Sequence, residues 1–527
     1  MTKPLIIPAV LAASLQLCAV LTAAPAATLT ISRSELADKI RGGWAGKMIG
    51  VSYGNPTEFK YNGRINDGEI PAWLPARVEN SIHQDDLYVG MTMSETMDRL
   101  GLGATAEQFG EAFKASQYHL WHANAGARRL LNLGIKAPLS GSPKYNIHAN
   151  DIDFQIEADF IGLMCPALPR EANKYSARVG GVMNWGDGLY GGMFLNGMYA
   201  AAYFENDVRK VVEAGLASIP AQSEYGRLIR DVLDWSAQNP QDWKAAWRLI
   251  EDKWDKHTSC PDSALNSFNI DAKINGAYIA LGLLYGGKDM GKTVEIAARA
   301  GQDSDCNPSS AAGVLGVMLG YKGIPDFWKS GIPALADTKF DYTRSSFNDI
   351  SKATLERSLK IIRLAGGKVT GEKIVIPMQT PKPPKLEQWN MGVPSSRISY
   401  KDPAWSWTGP WKTLTWKDWT EEHSSEFTGY AAAGAGAEAV LTFTGSAVAI
   451  LGGLTQSGGR ADVYLDEKKV RDADAYIVER THDNVLWHTY GLAQGRHTLR
   501  FVTRNDADPR SKGKNIILQE AVIYKAE

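Results

Sequence analysis

Cysteine is scarce in this chain, with 4 in 527 residues, and one of them, Cys18, falls inside an apolar N-terminal segment. The remainder, Cys165, Cys260 and Cys306, is an odd number that argues against a disulfide scaffold in a protein this long, although a Cys165–Cys260 bridge stays open to it. An excess of one charge is equally lacking, since 57 basic residues face 58 acidic ones. That balance excludes nucleic acid or an anionic membrane as the main partner and leaves a small-molecule or glycan substrate. Beyond the N-terminal segment no apolar run is long enough to span a bilayer. From Ile31 to about Ser330 there is almost no strand-like alternation either.

The N-terminus has the make-up of an export signal. Lys3 supplies positive charge, Leu5 to Leu21 is almost wholly apolar, and Ala24-Pro25-Ala26 offers small residues for cleavage. Gln16-Leu17 in front of Cys18 does not fit a lipidation site. Residues 1–26 are therefore expected to be a signal peptide, and the protein to be exported, periplasmic or extracellular.

Helical periodicity dominates the chain from Ile31 onward. Leu36, Ile40, Trp44 and Met48 recur at i+4 behind a Ser32/Glu35 capping signature. Further helices are expected at Asp86 to Leu100, Ala106 to His122, Gly192 to Tyr203, Val208 to Ala217, Glu224 to Ala237, Gln241 to Trp254, Asn275 to Leu284, Gly291 to Ala300 and Ser309 to Leu319. An internal echo pairs Asn196-Gly197-Met198-Tyr199, followed by Asp207, with Asn275-Gly276-Ala277-Tyr278, followed by Asp289; each reads as a helical hairpin. Residues 31–376 are thus read as an all-α domain. A Pro/Lys/Gln-rich linker at 377–396 precedes short alternating runs, including Arg460 to Leu465 and His497 to Thr503, which make 397–527 a smaller all-β sandwich.

Two acidic clusters carry the chemistry. Gln84-Asp85-Asp86-Leu87 stands just before a helix, as does Gly301-Gln302-Asp303-Ser304-Asp305-Cys306-Asn307-Pro308. Each alone is an ordinary helix start or polar turn. Together they supply the oxygen-rich ligands a hard divalent cation takes from several loops. His119 and His122 lack a clear third ligand and read as packing. Trp405, Trp407, Trp411, Trp416 and Trp419 are divided between a sugar-stacking platform and core.

These motifs resemble the ADP-ribosylglycohydrolases, which include the dinitrogenase reductase activating enzymes. Gly46-Lys47-Met48-Ile49-Gly50 leads to Glu58-Phe59, then come Gln84-Asp85-Asp86-Leu87 and the Gly301 to Asn307 turn, in the family's order and over about Arg33 to Lys329. The resemblance implies an all-α fold and one or two Mg²⁺ ions, or another divalent cation, held by Asp85, Asp86, Asp303 and Asp305 with Gln84 and Cys306. It implies Glu58, Asp86 and Asp303 as catalytic residues, with Asn307 near the substrate. Departures are Gln84 and Leu87 for hydroxyl residues, Lys47 for a common Asp, and Cys306 for Thr or Ser; a thiol is a poor ligand for Mg²⁺.

Asn124-Ala125-Gly126-Ala127-Arg128-Arg129 is a loose relative of the family's phosphate-binding segment. The His148 to Asp159 stretch offers carboxylates that repel a diphosphate and accept bonds from sugar hydroxyls, so Asp151, Asp153 and Glu157 are expected substrate contacts. The C-terminal region resembles the galactose-binding-like sandwiches, on Gly458 to Asp466 and Gly491 to Leu499, and that likeness implies a carbohydrate-binding domain. The expectation is a secreted metal-dependent hydrolase of a glycosidic bond; the rivals are a true ADP-ribosyl hydrolase and a non-catalytic glycan-binding protein with a degenerate site.

Overall fold

The computed structural model describes residues 27–256, 258–419, 424–479 and 484–527, with 417–419 and 424–425 as backbone alone. The expected signal segment 1–26 and the side chain of Trp419 lie outside them.

The first helix, Arg33–Gly54, begins where Ser32 Oγ accepts from Glu35 N at 3.0 Å, which satisfies one of the donors a helix start leaves unpaired. It packs against the late helix Cys306–Gly323 across a row of small residues. A Cβ on Gly42, Gly46, Gly50 or Gly54 would meet the backbone carbonyl of Gly316, Ala312, Pro308 or Ser304 at 2.2, 2.0, 2.1 and 1.9 Å respectively. The four glycines recur at i+4 on one face, so the two backbones touch directly. The metal-binding turn expected from sequence is thereby fixed to the first helix.

Two helices, Asp187–Ala202 and Ala272–Gly286, are buried on nearly all sides and form the centre. Each hairpins with a shorter helix, Val208–Ala217 and Met290–Arg299, and Asp207 and Asp289 cap those partners through their side chains. The internal echo is thus a repeated hairpin. Amphipathic helices such as Glu224–Gln238 surround it. The unit is not purely helical: Thr28–Ser32 pairs antiparallel with Lys373–Pro377, which also pairs with Lys368–Thr370. The helix expected over Ala106 to His122 ends at Lys114, and a separate helix, His122–Asn132, starts where it was expected to stop. The intervening chain is held open because Arg128 donates to the Ser116 and Tyr118 carbonyls at 3.3 and 2.7 Å, a tertiary contact that local periodicity does not encode.

The Pro-rich stretch is extended as expected but docked, with Trp389 Nε1 donating to Asn150 Oδ1 at 2.9 Å and Met391 buried. The β region starts earlier than expected, at Val393–Ser399. The apolar run from Ala439 to Leu451 breaks at Ser446, so that Glu438–Gly445 and Ala447–Gly452 enter opposite sheets. Both sheets are antiparallel, and Leu441, Phe443, Val463 and Phe501 from one interdigitate with Ile450, Leu518 and Ile523 from the other. Trp405 belongs to this core and Trp407 stacks on it at 5.2 Å, which places these two inside the sandwich rather than on a platform. The outer face of the second sheet, at Ala447, Ala449, Leu451, Val522 and Tyr524, covers Ile147 and Ala264 of the helical unit.

Candidate functional site

The two acidic clusters meet. Helix Asp85–Leu100 opens with Asp86 N donating to Asp85 Oδ1 at 3.0 Å, so that both carboxylates sit at its N-terminal end. The second cluster is a tight turn in which Gly301 and Gln302 take left-handed φ of 87° and 53°. Phe59 N donates to Gln302 O at 3.1 Å and Thr57 Oγ1 lies 3.0 Å from Ser304 Oγ, which binds the 55–59 loop to that turn. Cys306 joins the clusters: its sulfur lies within 4.8 Å of ligand oxygens of Asp85 and Asp86 and, equally, of Asp303 and Asp305.

Glu58, half-buried on the docked loop, is close enough for its charge to raise the pKa of Asp303. Burial, then the neighbouring Asp86, pushes the Asp85 carboxyl up to about 8. Burial and Asp86 likewise raise Asp305 to about 6, and burial and Asp305 raise Asp303. So many carboxylates in one dry place hold protons unless a cation neutralises them.

One cation is built in. Lys47 Nζ is buried, donates to Asp159 Oδ2 at 2.9 Å and to the Ile156 carbonyl at 2.8 Å, and stands 3.5 Å from Asp86 Oδ1. Burial alone would lower its pKa, but Asp159 and Asp86 outweigh that and hold it raised. Tyr199 Oη, from the central helix, donates to the other oxygen of Asp159 at 2.6 Å. The second oxygen of Asp86 accepts from Cys306 Sγ at 3.0 Å. Lys47 was legible as a departure, whereas nothing local in the sequence marked Asp159 or Tyr199 as its partners.

The remaining expected residues fall nearby in different settings. Gln84 is half-buried and donates to Asn80 Oδ1 at 3.1 Å. Asn307 is buried with its amide nitrogen on Asn275 Oδ1 at 2.9 Å. Asp153 accepts from the backbone of Ala123 and Asn124 at 3.2 and 2.9 Å, and Glu157 accepts from the Asn124 side chain. These acids, with Asp151, are buried rather than displayed on a charged surface, and burial raises all three, Asp151 to about 7 and Asp153 to about 6. Arg128 and Arg129 of the loosely phosphate-like segment turn to the sandwich, to Glu479 and to the Asp474 carbonyl.

Two expectations are corrected by the structure. Cys165, Cys260 and Cys306 are all free thiols, so the Cys165–Cys260 bridge does not form. His122 is not isolated packing: His148, Asp151 and Cys260 converge on it. Their positions in sequence span more than a hundred residues without a shared motif, which hid the cluster.

The residues present fit a divalent ion at the acidic turn. Asp303 Oδ1 and Asp305 Oδ1 are buried with no hydrogen-bond partner among the described residues, and a buried carboxylate oxygen is costly unless something positive meets it. Asp86 fits less well, since a thiol and an ammonium already engage its two oxygens.

A family model described as ADP-ribosylglycohydrolase matches residues 32–358. A curated protein of Flavonifractor plautii, "A type blood alpha-D-galactosamine galactosaminidase", is similar at 39% identity over 88 residues, 16% of this chain; the chain spans only 8% of that relative's length. Among solved structures, an "ADP-ribosylglycohydrolase-related protein complex" aligns with 62% of this chain and 99% of its own at TM-score 0.39 and 13% identity. A CBM51 from Clostridium perfringens GH95 in complex with methyl-galactose aligns with 24% of this chain and 99% of its own, at TM-score 0.18 and 17% identity.

Proposed function

Since the chain belongs to the ADP-ribosylglycohydrolase family, we propose that it is an exported, metal-dependent hydrolase of an N- or O-glycosidic bond in an extracellular glycoside. The observation that carries this reading is the pair of buried, unpartnered oxygens on Asp303 and Asp305, opposite Asp85 and beside Glu58. Asp303, Asp305 and Asp85 would hold one divalent cation such as Mg²⁺. Bound there, the ion would polarise a substrate oxygen and make water more acidic. Glu58 would take a proton from the attacking water, and Asp303 would orient that exchange. Lys47 supplies a second positive charge, 3.5 Å from Asp86 Oδ1.

The groups around the site favour a sugar over a diphosphate. Glu157 Oε2, Asn124 Oδ1 and Asn307 Oδ1 are buried acceptors without partners among the described residues, which suit hydroxyl donors and repel phosphate oxygens. The test is Asp303→Ala assayed on a panel of N- and O-glycosides, with a galactosaminide included because of the likeness to the F. plautii protein. Hydrolysis should vanish while the fold persists; turnover kept on a cleaved substrate would sink the metal-centred reading. A rise in melting temperature with ADP-ribose and Mg²⁺ would instead favour an ADP-ribosyl substrate.

A further inference from the structure

A second constellation lies outside the acidic turn. His122 opens helix His122–Asn132, His148 and Asp151 stand in the turn before helix Asp153–Glu157, and Cys260 stands in the loop that precedes helix Ala272–Gly286. One ligand atom from each lies within 4.8 Å of all the others. His122 Nδ1 is 3.9 Å from Cys260 Sγ and 3.7 Å from Asp151 Oδ2, and His148 Nδ1 is 2.7 Å from that same oxygen.

We propose that His122, His148, Asp151 and Cys260 bind a borderline-soft divalent ion of the zinc class. Tetrahedral zinc with bonds of about 2.0–2.3 Å sets its donors roughly 3.4–3.8 Å apart. Two of the three measured separations are near that already, and the His148–Asp151 contact need open by under about 1 Å. The donor set decides the metal: imidazole and thiolate select zinc over magnesium, just as the all-oxygen pair Asp303 and Asp305 does the reverse. Charge balances as well. Two neutral imidazoles, one carboxylate and one thiolate carry two negative charges, which a divalent ion cancels in an almost fully buried place. Binding breaks the Cys260 S–H bond, forms the metal–sulfur bond and releases the proton to solvent.

Two independent observations point to a ligand. Asp151 is wholly buried, yet its Oδ1 has no hydrogen-bond partner among the described residues. His122 takes a left-handed φ of 41°, which a side chain with a Cβ adopts at a cost, and which turns up where a side chain must be aimed. The His122 side chain is also 19% exposed, which leaves an entry path for the ion.

The site would order the loop that leads to the hydrolytic centre. Cys260 shares an apolar cluster with Ile152, Ile156, Ile270 and Cys306, against which Phe59 and Phe268 pack. Phe268 stacks on His122 at 5.8 Å and meets Phe59, the neighbour of Glu58, edge-on at 5.3 Å.

The experiment uses the full chain, stripped of metal and held in excess Mg²⁺ so that the oxygen-rich turn is engaged. Zn²⁺ should bind at one equivalent, and Co²⁺ should give a thiolate charge-transfer band in the unmutated and Cys306→Ser proteins. Cys260→Ser should lose the band and weaken Zn²⁺ by more than about 100-fold, beyond what losing a supporting residue costs. Should Cys260→Ser not fold, X-ray absorption of zinc-loaded Cys306→Ser should still show one sulfur at about 2.3 Å. A band that follows Cys306, a zinc shell without sulfur, or no stoichiometric zinc would each overturn the proposal. Asp303→Ala should keep the band, so this proposal and the hydrolytic reading can fail separately.

Discussion

Replacing Lys47 by methionine removes one charge at nearly constant volume from a place closed to bulk solvent. Its side chain and those of Asp86 and Asp159 are each at most 1% exposed, so neither carboxylate could turn to solvent after the change. Breaking a buried pair by deleting one member costs about 3–5 kcal/mol, because the other charge stays buried without a partner. The Ile156 carbonyl would also lose its donor at 2.8 Å. A loss of about 3 kcal/mol at pH 7 is expected, the lower end of that range, since one carboxyl can relax by taking up a proton. Urea unfolding with and without Mg²⁺ measures this. If the ammonium stands in for a second cation, its removal vacates that role, and Mg²⁺ should restore more to Lys47→Met than to the parent. One ion at a hundred times its Kd contributes about 2.7 kcal/mol, so the variant should gain roughly twice that while the parent gains it once. A loss below about 1 kcal/mol, or equal gains with Mg²⁺, would refute the substitution of an ammonium for an ion.

Gly50→Ala should cost activity about 100-fold, because a Cβ only 2.1 Å from the Pro308 carbonyl drives the two helices apart by roughly 1 Å at the turn that carries Asp303 and Asp305; Gly103→Ala, with nothing within 4 Å, is the control in the same kinetic assay. Without metal, the carboxyls raised to about 8 at Asp85 and about 6 at Asp305 bind protons more tightly folded than unfolded. Their contribution is then complete at acid pH and lost as pH rises through about 6 to 8. Melting temperature should therefore fall over that window in chelator, whereas Mg²⁺ affinity measured by calorimetry should rise over it. Trp389→Ala removes the bond to Asn150 and the contact with Tyr490 at 5.3 Å. The 378–392 stretch should then be cut faster by protease while the helical unit keeps its melting transition.

The parts of the molecule that local rules govern were legible in the sequence. The Ser32 cap, the i+4 stripe of Leu36, Ile40 and Trp44, the repeated hairpins and the alternation of Arg460–Leu465 all arise from neighbours a few residues apart. The acidic turn was legible too, because its chemistry is compressed into a few consecutive residues. What escaped depends on contacts between distant segments. Lys47 finds Asp159 only after the first helix crosses the helix holding Asp159, and His122 meets Cys260 across 138 positions. The break before His122 rests on Arg128 reaching back to Ser116 and Tyr118, an effect that helical periodicity cannot carry. The Pro-rich composition indicated an extended path but not the indole bond that fastens it.

The small sheet at the base of the helical unit sets an order of assembly. Among the described residues Thr28–Ser32 finds its one strand neighbour in Lys373–Pro377, and the helix it leads into rests on Cys306–Gly323. The earliest described segment thus has no lasting partner until nearly all of the unit has been made. Nucleation must fall to the local hairpins, and the glycine-lined helix closes over them last, as a long-range loop closure that is slow by its topology. A nascent chain stopped short of residue 304 would expose that glycine face, and would be the form a chaperone or protease meets first.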